Sequence, residues 1–208
     1  MLIDLDAFRN TPISSDPFDH AIVQGFVRPE ALEAVHRDYP DVGKPGSFAV
    51  DTVSFGPAFA QILDEIQSPE MTRVVGEKFG IDLTGKPTMV TVRDRCRARD
   101  GQIHIDSKGK LVTVLIYMNP PWEEAGGRLR LLRGPGDIEN YAAEVPPDEG
   151  TMLIFRCTPD AWHGHKSFEG RRRAIQLNWV VGDDYVKREQ RRHRVSAFLK
   201  RLFGRRAA

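Results

Sequence analysis

Cysteine is scarce in this chain. Cys96 and Cys157 are the only two in 208 residues, too few for a disulfide framework and not spaced as a C-x-x-C pair. Each stands in a strand-like stretch, so a buried thiol is the expected state of both. Long hydrophobic runs are missing as well, and no apolar stretch approaches the length needed to span a membrane. The opening Met1-Leu-Ile-Asp-Leu-Asp-Ala-Phe-Arg-Asn10 has neither the basic start nor the apolar segment of a secretory signal, which makes a cytoplasmic location the expectation. No internal repeat, low-complexity tract or linker divides the sequence. What remains is the balance of a globular protein, 40% hydrophobic and 28% charged, at a length that suits one domain with a full core.

The net charge of +1 is unevenly spread. Nine Lys/Arg and one Glu fall between Lys187 and Arg206, a local +8 that leaves about −7 for the rest of the chain. In the same tail Val195, Phe198, Leu199, Leu202 and Phe203 recur at helical spacing. We therefore expect a basic amphipathic helix over 187–208. It packs on its own domain, lies on an anionic membrane surface, or meets an acidic partner. Nucleic acid is not expected as a partner, because no stacking aromatics or reader motif accompany the charge.

The body of the chain changes character near residue 86. Before it, a short strand His20–Gln24 leads through Gly25-Phe26 to a helix opened by Pro29 and running to about Asp38. A second helix starts at Pro57. A third has Ser68 as N-cap, Pro69 at its first position and Gly80 as its stop, with Met71, Val74, Val75 and Phe79 on one face. After it come candidate strands at 88–97, 102–106, 111–118, 128–133, 151–156 and 172–181, separated by turns such as Arg99-Asp100-Gly101 and Gly134-Pro135-Gly136. Short strands at this spacing argue for a double-stranded β-helix, a cupin-like jelly roll over about 86–182, mainly β with helical support from about 1–85. Residues 1–186 then form a single domain.

The chemistry gathers around His104-Ile-Asp106. On a strand, residues two apart share a face, so this imidazole and this carboxylate project together. A third metal ligand is offered by His163, in Trp162-His163-Gly164-His165, with His165 as its rival. Two histidines and one carboxylate on one face of an octahedron leave three positions open, the arrangement of iron(II) oxygenases. Nine residues after His163, Arg172 opens a strand, and its guanidinium inside a barrel would grip a carboxylate through two hydrogen bonds. Tyr117 could donate a phenolic hydrogen bond to the same carboxylate, and Thr113 shares its face. Arg173 is the alternative anchor. Arg172 shares its face with Ala174, Gln176 and Asn178, small or polar groups suited to a barrel interior, whereas Arg173 shares one with Ile175, Leu177 and Trp179.

With these residues in place, the sequence resembles the iron(II)- and 2-oxoglutarate-dependent oxygenases, in their prolyl 4-hydroxylase-like branch. The likeness is carried by His-Ile-Asp106, Lys110-Leu-Val-Thr-Val-Leu-Ile-Tyr-Met-Asn119, Trp122 through Gly126-Gly127-Arg-Leu, Val145-Pro146, Gly150-Thr-Met-Leu-Ile-Phe155, Trp162-His163 and Arg172. An opening Asp16-Pro-Phe-Asp-His20 and Gly25-Phe26 extend it over most of the chain. The resemblance implies Fe(II) on His104, Asp106 and His163. It also implies 2-oxoglutarate bound through Arg172 and Tyr117, with Thr113 alongside, and O2 as second cosubstrate. The implied reaction is hydroxylation of a small molecule, a glycan or a protein side chain, with release of succinate and CO2. Two other readings stay open here: a catalytically silent metal- and ligand-binding jelly roll, and a zinc-dependent hydrolase with the same ligands.

For the substrate, the alternation of Arg93, Arg95, Arg97 and Arg99 with other residues suggests four guanidiniums on one strand face. This is either a solvated outer face or a basic wall that guides an anionic substrate to the metal. Arg95, Arg97, His165 and Asn178 are the substrate-binding candidates.

Overall fold

The computed structural model describes residues 1–189. Residues 183–189 are helical, and the amphipathic stripe expected beyond them lies outside the described residues.

Four α-helices precede the main strands: α1 (Leu5–Asn10), α2 (Pro29–Asp38), α3 (Pro57–Ile66) and α4 (Pro69–Phe79). The last three each begin on a proline, where a missing N–H costs nothing. In α4 the Ser68 hydroxyl accepts from the Met71 N–H, and the helix stops at Gly80 in the left-handed conformation, φ 59° and ψ 41°. Its buried face is Met71, Val74, Val75 and Phe79. Helix α1 escapes the sequence reading because it is short. It is held by the Asp4 carboxylate, which accepts from the N–H groups of Asp6 and Ala7.

The strands are β1 (His20–Val23), β2 (Phe48–Ala49), β3 (Thr88–Cys96), β4 (Lys110–Tyr117), β5 (Leu129–Leu132), β6 (Tyr141–Val145), β7 (Met152–Arg156), β8 (His163–His165) and β9 (Gly170–Val180). They form a six-stranded sheet in the order β1-β7-β4-β9-β3-β2 and a three-stranded sheet in the order β6-β5-β8. Every ladder is antiparallel, and the architecture is the jelly roll with helical support. The N-terminal segment supplies more than helices, since β1 and β2 are the two edges of the large sheet.

The two faces of the large sheet have different neighbours. On β4, Val112, Val114 and Ile116 join the larger core, together with Ile175, Leu177 and Trp179 of β9 and the buried faces of α2, α3 and α4. The opposite face of the same strands looks into the barrel, where Tyr117, Leu153, Phe155 and Ala174 meet Leu129 and Leu131 of the small sheet. Thr113 pairs with Phe155 on one side and Asn178 on the other, Leu115 with Leu153 and Gln176, and Tyr117 with Ala174. Polar interior residues thus lie in register with apolar ones, and the barrel can hold a polar ligand on an apolar frame.

The expected strand 102–106 does not form. His104 alone makes an isolated bridge, to His163, because the segment runs between the turn at Arg97–Gly101 and the turn at Ser107–Lys110. Strands β6 and β8 were not anticipated: β8 is three residues with a central glycine, too short for an alternation to show.

Trp179 is fully buried between the large sheet and α4, its indole N–H 3.3 Å from the Thr72 hydroxyl. Trp179→Ala should lower unfolding free energy by about 3–5 kcal/mol, read from the urea midpoint, with Trp179→Phe costing clearly less.

Candidate metal centre

His104 and His163 are brought face to face by backbone pairing. The His104 N–H donates to the His163 carbonyl at 3.0 Å, and the His163 N–H to the His104 carbonyl at 2.9 Å. Their ring centroids lie 4.3 Å apart. Asp106, two residues on, completes the group: one ligand atom from each of His104, Asp106 and His163 lies within 4.8 Å of the others. His104 is exposed, Asp106 half-buried and His163 buried, so the group sits at the barrel mouth with its back to the interior.

Both rings are oriented by carbonyls. His104 Nδ1 lies 2.8 Å from the Gln102 carbonyl, and His163 Nδ1 lies 2.9 Å from that of Ala161. A carbonyl can only accept, so Nδ1 carries the proton in each ring and Nε2 keeps its lone pair for a metal. Burial, and then the neighbouring His104, push the His163 pKa down to about 4, against the pull of Asp106. His163 is therefore neutral at pH 7, as a metal ligand must be. Phe155 packs on its ring at 5.0 Å.

The Asp106 carboxylate is gripped at both oxygens. Lys110 Nζ is 2.7 Å from Oδ1, and the Thr113 hydroxyl donates to Oδ2 at 2.5 Å. Burial alone would raise the Asp106 pKa, but the charge of Lys110, the charge that His163 takes on only at low pH, and these two hydrogen bonds outweigh it and hold the pKa below the ordinary value. Behind Thr113 the chain of donors continues: the Asn178 amide donates to the Thr113 hydroxyl at 2.7 Å, and Gln176 to Asn178 at 3.3 Å. This revises two expectations. Thr113 spends its proton on Asp106 rather than on a cosubstrate, and Asn178 sits buried behind Thr113 rather than on a substrate path. Lys110 escaped the sequence reading, although its spacing of four from Asp106 was a signal. Cys157 lies beside this cluster, its Sγ 3.2 Å from the Thr113 oxygen. Burial and the Asp106 charge push its pKa up to about 12, which leaves a protonated thiol.

Further along the interior face, Arg172 is buried and its guanidinium stands 5.2 Å from the Tyr117 ring. Its Nε donates to the Gly127 carbonyl at 2.7 Å. Gly127 turns that carbonyl inward with φ +79°, a backbone conformation that suits glycine. Arg172 Nη2 and the Tyr117 hydroxyl are buried with no hydrogen-bond partner among the described residues. Two such orphans side by side cost free energy unless a ligand satisfies them, and a carboxylate fits both, since it only accepts and Arg172 brings the charge. Burial raises the Tyr117 pKa, opposed by Arg172, so the phenol keeps the proton that it would donate. The rival, Arg173, points the other way. Its Nε is 3.3 Å from the buried Asp94, and its guanidinium lies 4.8 Å from the Tyr39 ring on the helix side of the sheet.

His165 is buried beside this carboxylate pocket rather than in the metal group, its Nδ1 directed at the Lys166 carbonyl at 2.8 Å. Its ring lies against Gly101, where an added Cβ would fall 2.3 Å from ring atoms. Burial, then the charge of Arg172, push its pKa down to about 4. The expected arginine wall is corrected. A register shift between Arg93 and Arg95 breaks the alternation, and β3 ends at Cys96, so Arg97 and Arg99 lie on a turn. Arg93 is spent on Asp100 at 3.0 Å. Arg95 is exposed opposite Arg171, and the Arg97 N–H donates to Asp100.

A jelly roll with two histidines and a carboxylate at its mouth, and an arginine–tyrosine pocket within, defines a class of non-haem iron oxygenase folds. Comparison with known proteins agrees. Residues 95–181 match the profile of the 2OG-Fe(II) oxygenase superfamily, a stretch that holds all three candidate ligands, Tyr117 and Arg172. Over this stretch the chain is similar to a superfamily whose name carries 2-oxoglutarate and Fe(II). Its fold is similar to that of a prolyl-4-hydroxylase from Pseudomonas putida, at 14% identity, TM-score 0.57, over 86% of this chain and 97% of the other. A viral collagen prolyl hydroxylase from Paramecium bursaria Chlorella virus-1 is also similar, at 16% identity, TM-score 0.54, over 78% and 96%. A prolyl 4-hydroxylase structure from Phytophthora capsici aligns at 13% identity, TM-score 0.56, over 86% and 66%. Among curated proteins, no sequence matches.

The buried histidines make the stability of the metal-free protein pH-dependent. In the unfolded chain they bind protons near pH 6.5, but in the folded protein not until about 4. Between those values the unfolded state holds more protons, so stability falls as pH drops through that window. Urea unfolding of the metal-free protein should show a loss of about 2 kcal/mol per histidine between pH 7 and pH 5, and His165→Gln should remove its share. Equal stability at the two pH values would contradict the assignment.

Proposed function

We propose that the protein is an Fe(II)- and 2-oxoglutarate-dependent hydroxylase in which His104, Asp106 and His163 hold the metal. Arg172 and Tyr117 would hold the distal carboxylate of 2-oxoglutarate. The observation that carries this reading is the pair of buried, unpartnered donors, Tyr117 Oη and Arg172 Nη2, in the barrel whose mouth carries the three candidate ligands. A zinc hydrolase would need the same metal ligands but has no use for that pair. When bound, iron with 2-oxoglutarate and O2 supplies the oxidising power for hydroxylating a C–H bond, with release of succinate and CO2.

The chain's own residues do the rest. His104 and His163 present unprotonated Nε2 atoms, and Asp106 supplies negative charge, its orientation fixed by Lys110 and Thr113. Arg172 neutralises the charge of the cosubstrate's far end and, with Tyr117, fixes its direction. Leu115, Leu153 and Phe155 make the interior face of the same strands apolar, which would limit water at the reacting centre. The prolyl hydroxylases of similar fold make a peptidyl proline the first substrate to try, with small acidic metabolites and nucleotide sugars after it.

Under anaerobic conditions the protein with Fe(II) and 2-oxoglutarate should show a visible charge-transfer band, and no band would count against the reading. Arg172→Leu should weaken 2-oxoglutarate binding about ten- to a hundredfold while Fe(II) affinity changes little, since a charged hydrogen-bond pair is lost. Tyr117→Phe should weaken it about three- to tenfold. Equal 2-oxoglutarate affinity in wild type and Arg172→Leu would remove Arg172 from this role.

A further inference from the structure

We infer that Lys110 is a positioning residue that holds Asp106 to single-oxygen metal coordination and so preserves the room that a chelating cosubstrate needs. The inference rests on the oxygenase reading above and adds a role to a residue outside the metal group.

The geometry is specific. Lys110 opens β4, its side chain 19% exposed, and its ammonium contacts Oδ1 of Asp106, whose side chain is 8% exposed. The turn that joins the two residues is clamped from behind. The Lys110 N–H donates to the Ser107 carbonyl at 2.9 Å, and the Val181 N–H to the Gly109 carbonyl at 2.9 Å. The Tyr185 hydroxyl meets Ser107 Oγ at 2.5 Å. The Tyr185 ring packs so closely on Gly109 that an added Cβ would fall 2.0 Å from it. Lys110 is thus fixed at the carboxylate by its backbone as well as by its charge, unlike a solvated lysine that samples many rotamers.

The chemical consequence follows from the carboxylate's two oxygens. A free aspartate can chelate a metal through both and take a position that the facial arrangement leaves open. Here each oxygen already has a partner, and the partners differ. Oδ1 holds a cation, Oδ2 a neutral hydroxyl backed by Asn178. A dication and an ammonium repel one another, so Oδ1 is the poorer donor and coordination falls to Oδ2. With Oδ1 withheld, His104, Asp106 and His163 would use three positions, and room would be left for a chelating 2-oxo acid and O2.

The test separates metal affinity from cosubstrate affinity. Fe(II) binding is measured anaerobically by competition with a chromophoric chelator, and 2-oxoglutarate binding to the iron-loaded protein by its charge-transfer band. Lys110→Met should bind Fe(II) within about threefold of wild type or more tightly, yet bind 2-oxoglutarate about tenfold or more weakly, and Lys110→Arg should restore most of the loss. Unchanged 2-oxoglutarate affinity in iron-loaded Lys110→Met overturns the inference. Lys110→Gln, which keeps a donor without the charge, replaces the methionine variant if thermal melting shows that one unfolded, and is expected to fall between it and wild type. If wild type binds metal but shows no band with 2-oxoglutarate, the oxygenase reading is what fails. Co(II) absorption then decides on Lys110: a spectrum altered by Lys110→Met and restored by Lys110→Arg supports its role, and an unaltered one overturns it.

Discussion

Two backbone hydrogen bonds between His104 and His163 hold the candidate metal centre together. They join a loop, which has no ladder of its own, to the start of β8 at the edge of the small sheet. Both rings then face the same space because directly paired residues on antiparallel strands project to the same side. Asp106, two residues on, reaches the same space just before the turn that leads to Lys110. A third bond, from the His165 N–H to the Gly101 carbonyl at 2.8 Å, ties the same two segments together, so residues about sixty positions apart meet at one site. Gly164, between His163 and His165, is needed for the same contact: a side chain there would meet the Gly101 carbonyl at 2.9 Å and the Ile103 backbone at 3.2 Å.

Much of this was legible in sequence, for local reasons. The prolines at helix starts, Ser68 and Gly80 mark their helices because caps act within a few residues. The strand read over 102–106 does not form, yet one ligand atom each of His104 and Asp106 lies close to the other and to one of His163. The preference for Arg172 over Arg173 rested on what shared each face, and the core on the helix side does take Ile175, Leu177 and Trp179. The arginine run from 93 to 99 misled for the converse reason: a bulge resets alternation, and nothing in a single sequence marks where one falls. Of the support of Asp106, Lys110 left a local signal in its spacing of four, but the rest was invisible because it is assembled across strands. Thr113 and Asn178 belong to different strands and meet only through the register of β4 against β9.

The division of the large sheet into two faces explains how the barrel can remain polar. Its helix-facing side carries most of the buried apolar residues, so stability is drawn largely from there. The interior is left free to hold groups that weaken the fold: two histidines kept neutral by burial, a buried guanidinium and a phenol without a partner. Such groups are tolerated because the larger core on the other side of the same strands offsets them. The N-terminal helices therefore act on the site at a distance. They hold the strands whose opposite faces carry Thr113, Tyr117, Arg172 and Asn178.

The same polar groups couple folding to ligand binding. Arg172 Nη2 and Tyr117 Oη lack partners among the described residues, and each buried orphan costs on the order of 1–3 kcal/mol. A ligand that satisfies both recovers this penalty at the moment of binding, because the donors are already in place and little ordering is required. The metal end works differently. Asp106 already has partners on both oxygens, so a metal there must share the carboxylate with Lys110 and Thr113 rather than relieve an unsatisfied group. One end of the site is thus poised by deficit and the other by restraint. That asymmetry suits a pocket that must grip the far carboxylate of its cosubstrate firmly while leaving open positions around the metal.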